Sequence, residues 1–174
     1  MMYTIKQREG FDGRIGELVS MLQYSREVLL EDIKDLSQSD LDFIAYEGAN
    51  SIGSLLMHIA SIEYVHQVIT FEKRDFNEEE YSQWGAALTL GEEARADIQN
   101  QSLDVYLKVL SETREKTLSL LSNKKEEWLF EENQWENDVS HNHYWLWYHV
   151  MEDEINHRGQ IRLIKRMLLN KNNH

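Results

Sequence analysis

The stretch EDEINHRGQIRLIKRML, residues 152–168, has the rhythm of a long helix, yet positions that a buried helix face would fill with Leu or Ile carry Asp153, Asn156, His157 and Gln160. At about 3.6 residues per turn, His149, Asp153 and His157 follow one another along a single arc. Imidazole and carboxylate are ligands for zinc, nickel, iron and manganese, and an i, i+4 pair brings two of them to one point. A carboxylate on a buried face is costly unless it is paired, hydrogen-bonded or metal-bound, so a metal is one explanation for Asp153. Leu163, Ile164 and Met167 extend the same inward arc, whereas Glu154, Arg158, Arg162 and Lys165 cluster opposite and are expected to face water. Earlier in the chain, Ile52, Leu55, Ile59, Ile62, Val65 and Ile69 form an apolar stripe, and His58 and His66 fall inside its arc. His58 can therefore face Asp153 and His157 across a helical core.

The neighbouring polar and aromatic residues have plainer readings. His66 and His143 are expected as surface or hydrogen-bonded core residues, and His141 and His174 as exposed ones. Trp145, Trp147 and Tyr148 read as core and interface aromatics, Gly159 as a site of close helix packing, and Arg158 as a surface cation. A second metal architecture competes. Glu63 with His66 and Glu154 with His157 repeat the Glu-x-x-His motif of di-iron carboxylate bundles, with Glu27 or Glu31 and Glu112 as the remaining carboxylates. The outward position expected for Glu154 weighs against it.

These residues need helices to position them. Apolar residues recur at three and four through Ile15, Leu18, Leu22, Val28, Leu29 and Ile33, which predicts a helix over 14–36. Asn50 or Ser51 caps a second helix that ends near Phe71. A third spans 102–121, with Val105, residues 107–110, Thr113, Thr117 and Leu120 contributing, and a fourth spans 140–169. Between 72 and 100 the pattern weakens: KRDFNEEEYSQWG reads as a long loop, and TLGEEARADI as a short helix capped by Thr89. Trp128, Phe130, Trp135 and Val139 lie in an acidic, aromatic linker. With no Pro and no sustained alternating pattern, the expectation is an all-α four-helix bundle without a sheet, one domain over 1–174.

Composition narrows the function. The chain has no Cys, which excludes thiol nucleophiles, thiolate ligands and disulfides. A net charge of −13 repels polyanions, so no nucleic-acid partner is expected. The cations Arg158, Arg162, Lys165, Arg166 and Lys171 read as solvated residues that complement a helix C-terminus. No run is long and apolar enough for a membrane span, and the N-terminus lacks a signal-peptide pattern, so no membrane association and a cytoplasmic location are expected.

NSIGSLLMHIASIE (50–63), followed late by EDEINHRGQI (152–161), resembles the DinB/YfiT-like superfamily of metalloenzymes, and the order of helices resembles it over essentially the whole chain. The resemblance implies an up-down-down-up four-helix bundle, often a homodimer, with three metal ligands: a His on the second helix and two His four apart on the last. Carried onto this chain they are His58, Asp153 and His157, with Asp153 standing where the family pattern most often has His. His149, one turn earlier, is a candidate to substitute for Asp153 or to support it. The implied cofactor is one divalent ion, zinc or nickel first, with iron or manganese also suited to two His and a carboxylate. Members with assigned activity use low-molecular-weight thiols such as bacillithiol or mycothiol. The resemblance thus implies a small-molecule substrate and a thiol S-transferase or a hydrolase, acting through a metal-bound thiolate or water. The alternative is a non-catalytic stress or binding protein of the same type, its site degenerate at Asp153. The aromatic-rich connections at Trp84, Trp128 and Trp135 join the resemblance in suggesting a homodimer.

Overall fold

The first apolar period closes on itself as expected: Ile15, Leu18, Leu22, Leu29 and Ile33 are all buried on one face of helix α1 (Gly13–Ile33). The computed structural model describes residues 3–135 and 137–172; His174 lies outside them. A single-turn helix α2 (Gln38–Leu41) follows, closed by a capping box between Ser37 and Asp40. Helix α3 (Ile52–Gln67) starts where Ser51, rather than Asn50, accepts the backbone N–H of Ser54 at 3.0 Å. It continues into a π-helical turn, Val68–Glu72, and stops at Lys73, whose φ of 55° is left-handed.

The expected long loop is largely helical. Helix α4 (Glu78–Thr89) opens on a capping box in which Asn77 accepts from the Glu80 N–H and Glu80 accepts from the Asn77 N–H, both at 2.9 Å. Its acidic first turn complements the positive end of the helix dipole. Phe76 and Trp84 join the core, so the charged appearance of NEEEYSQWG hid a packed element. Thr89 ends α4 instead of capping the next helix, α5 (Gly91–Asp97); its hydroxyl donates back to the Gly85 carbonyl at 3.0 Å.

Helix α6 (Leu103–Leu121) buries Tyr106, Leu110, Thr113, Arg114, Thr117 and Leu121, while Val105 is exposed, contrary to expectation. A 3₁₀ turn, Glu126–Phe130, then leads into a hairpin that the sequence did not announce. Strands β1 (Glu132–Gln134) and β2 (Ser140–Asn142) pair antiparallel, with Asn133 opposite His141. Trp135 and His141 stack across it at 3.9 Å. The last helix, α7 (His143–Asn172), therefore begins three residues later than expected.

Helix α3 packs against α4, α6 and α7, and α1 against α7. The buried side of α7 is centred on Trp147, Val150, Glu154 and Ile161, about a quarter-turn from the arc read from the sequence. Ile164 is buried as expected, but Leu163, Met167, Gln160, Trp145 and Tyr148 are exposed, and Gly159 has no neighbour against it. The reason is electrostatic. Arg26 and Arg114 reach in from α1 and α6 and draw Glu154 to the interior, so polarity is no guide to the outer face here. The fold is all-α apart from the hairpin, and no helix among the described residues is long and apolar enough to cross a membrane.

Candidate metal centre

Three helices build the site. His58 sits on α3, and Asp153 and His157 sit one turn apart on the facing side of α7. The third contributor is α4. Its last carbonyls have no partner within the helix, and that of Ala87 accepts from Nδ1 of His58 at 2.9 Å. A carbonyl only accepts, so Nδ1 carries a proton and Nε2 is the ring atom that faces the junction, a donor to Asp153 when it holds a proton and a lone pair for a metal when it does not. That Nε2 lies 3.6 Å from Oδ1 of Asp153, and Nε2 of His157 lies 3.3 Å from the same oxygen. The two imidazole rings meet edge to face, 4.6 Å apart. One ligand-type atom from each of the three residues falls within 4.8 Å of the others.

Among the described residues, two buried atoms at this junction have no hydrogen-bond partner: Oδ2 of Asp153 and Nδ1 of His157. Unsatisfied buried polar atoms are expensive. The donor set, two imidazoles and a carboxylate, suits a divalent ion. The separations suit one too, because ligands about 2.0–2.2 Å from a tetrahedral zinc stand roughly 3.4 Å from one another. Burial pushes the Asp153 carboxyl up, but hydrogen bonding and attraction from His157 and His58 outweigh it and hold the group well below the usual carboxylate range. Asp153 is thus ionised, as a ligand must be. Each side chain remains slightly exposed.

His149 does not join the three. Its Nδ1 faces Glu152 at 3.2 Å, and its ring stacks on Trp145 at 5.4 Å. His66, 5.9 Å from the His149 ring, donates Nδ1 to the Ile62 carbonyl at 2.7 Å, and burial holds it down to about 4. His143 is buried, donates Nδ1 to the Trp128 carbonyl and stacks on Trp128. Of the surface and core roles open to them, both have the hydrogen-bonded core one.

The sequence reading missed a second polar cluster. Glu63 and Glu154 are buried (0% and 1% exposed) and share two guanidiniums. Arg114 donates to Glu63 at 2.7 Å and to Glu154 at 3.1 Å; Arg26 donates to the same two carboxylates at 2.9 and 3.1 Å. Each guanidinium also reaches a carbonyl across the core, Arg26 that of Leu110 and Arg114 that of Leu22. Glu154 therefore points inward, which overturns its expected outward position. The di-iron arrangement also fails. Its two central carboxylates are held by arginines, Glu27 is exposed, and Glu31 and Glu112 pair on the surface with Lys34 and Lys108. A sequence signal for the cluster existed. Arg26, Glu63, Arg114 and Glu154 each interrupt the inward stripe of one long helix, two positive and two negative.

In fold, the chain is similar to a conserved protein of Enterococcus faecalis, with a TM-score of 0.69 and 16% identity over 88% of this chain and 95% of that one. It is likewise similar to a protein of Streptococcus pneumoniae, with a TM-score of 0.67 and 15% identity over 96% of this chain and 94% of that one. No curated protein matches the chain. Residues 17–168 match the model of the mycothiol S-transferase family, and the chain belongs to this DinB/YfiT-like family.

Proposed function

From this family membership, we propose that the chain is a metal-dependent transferase that joins a low-molecular-weight thiol, of the mycothiol or bacillithiol kind, to a small electrophilic substrate. The observation that carries the reading is the convergence of His58, Asp153 and His157 within 4.8 Å. These three side chains would hold one divalent ion, zinc or nickel first. Such an ion, when bound, acidifies a thiol or water at its open position. The chain's own residues do the rest. The Ala87 carbonyl fixes the tautomer of His58 and aims its Nε2 at the junction. The Asp153 carboxylate supplies negative charge between the two imidazoles. The absence of Cys agrees with a nucleophile that arrives with the cosubstrate.

The same reading takes α1, α3, α6 and α7 as an up-down-down-up four-helix bundle forming one domain over 1–174, in a cytoplasmic homodimer. The packing of α3 against α6 and α7 supports the bundle. Trp84 and Trp128 are buried within the chain and offer little aromatic surface to a partner. The test is thiol consumption with an alkyl halide as electrophile. A carbon–sulfur bond forms, halide leaves and the thiol proton passes to solvent. Consumption is expected with zinc- or nickel-loaded protein and lost with chelator. Metal bound without any thiol consumption or thiol binding would favour the non-catalytic reading, and hydrolysis of an ester substrate without thiol would favour a hydrolase.

A further inference from the structure

The outer surface of α7 is unusual for a solvated helix. Tyr148, Ile155 and Leu163 are 46%, 41% and 51% exposed. With Glu152, Gly159 and Arg166 they follow steps of three and four, so all six share one stripe. Gly159 lies at its middle, deep within the helix, where glycine costs about 1 kcal/mol relative to Ala. Nothing among the described residues requires it, because a Cβ at this position would meet none of them within 4 Å.

We propose that this stripe is the contact between two copies of the chain, their α7 helices antiparallel across a two-fold axis at Gly159; this rests on the homodimer reading above. In such a contact a residue k positions before 159 meets the partner's residue k positions after it. Ile155 then meets Leu163, an apolar pair, and Glu152 meets Arg166, an acid with a base. A parallel pairing would instead set Glu152 on Glu152 and Arg166 on Arg166. Glycine at the crossing point lets two backbones approach closely, which accounts for its presence on an exposed face. The charge pairs fix register more than they add affinity. Register matters here, because two chains of net charge −13 repel one another in general.

The lack of Cys makes a direct test available. A disulfide needs Cα atoms about 4.4–6.8 Å apart. Ile155→Cys protein mixed with Leu163→Cys protein should form a cross-linked dimer under mild oxidant, while each variant alone should not. Gly159→Gln, read by light scattering at tens of micromolar, should shift the mass from twice 20.7 kDa to 20.7 kDa. Its melting temperature should hold or rise, since Gln favours helix over Gly. A wild-type mass of one chain would overturn both the homodimer and this face. A dimer that survives Gly159→Gln, and in which the mixture fails to cross-link, would leave the homodimer standing and overturn this face alone.

Discussion

A carboxylate between two imidazoles is a different donor from a third imidazole, and it carries negative charge that a bound divalent ion would offset. His157→Ala should abolish stoichiometric zinc binding in calorimetry, a larger loss than the 10–100-fold that a supporting residue costs. Asp153→His should retain or tighten binding, since it restores the usual ligand type. Glu154, one residue away, should behave differently. Its removal leaves Arg26 and Arg114 short of charge in the core, so Glu154→Ala should cost about 3–5 kcal/mol in urea unfolding. At this scale the convergence that makes the candidate site was legible. His58, Asp153 and His157 were identifiable from type, spacing and family pattern. Glu154 was misread because a helical wheel treats charge as a mark of the outer face, and that rule fails when an opposite charge waits inside.

The elements hold the site through close approaches that sequence periodicity does not reveal. Gly53 on α3 lies against Tyr106 of α6: a Cβ there would stand 2.5 Å from the tyrosine oxygen and 2.9 Å from Cζ. The ring is buried and cannot swing aside. Gly53→Ala should therefore cost about 1–3 kcal/mol by overpacking. The Tyr106 hydroxyl is buried without a hydrogen-bond partner among the described residues. Tyr106→Phe added to Gly53→Ala should recover part of the loss, read in the same denaturant titration. The long helices α1, α3 and α6 were recognisable from their three-and-four spacing. Helix α4 was not, because three consecutive glutamates and a short apolar side obscured its period, although Asn77 and Glu80 had the spacing of a capping box. That helix supplies the carbonyl that orients His58, so a feature of the site was lost with it.

Across the whole molecule, Glu63 and His66 are two buried groups that contribute to the response to acid. Burial pushes the Glu63 carboxyl up, but Arg114 and Arg26 outweigh it and bring it to about 2 from an ordinary 4.5. The unfolded chain therefore takes the proton first. The stability that Glu63 contributes is present above pH 4.5 and is lost as pH falls toward 2. His66 responds earlier. Burial brings it to about 4 from 6.5, so protonation again favours the unfolded chain, and stability is lost as pH falls from 6.5 to 4. That shift corresponds to something on the order of 3 kcal/mol. The thermal midpoint should therefore decline in two stages on acidification, and His66→Gln should remove the upper stage while leaving the lower one.

The central claim, that the three converging side chains hold one divalent ion, is tested most directly by anomalous diffraction from crystals supplied with zinc, measured on both sides of its absorption edge. One peak per chain is expected, about 2.0–2.2 Å from Nε2 of His58, a carboxylate oxygen of Asp153 and a ring nitrogen of His157. A zinc-treated crystal with no peak between these residues, or with its peak elsewhere, would contradict the account and leave a binding protein with a degenerate site.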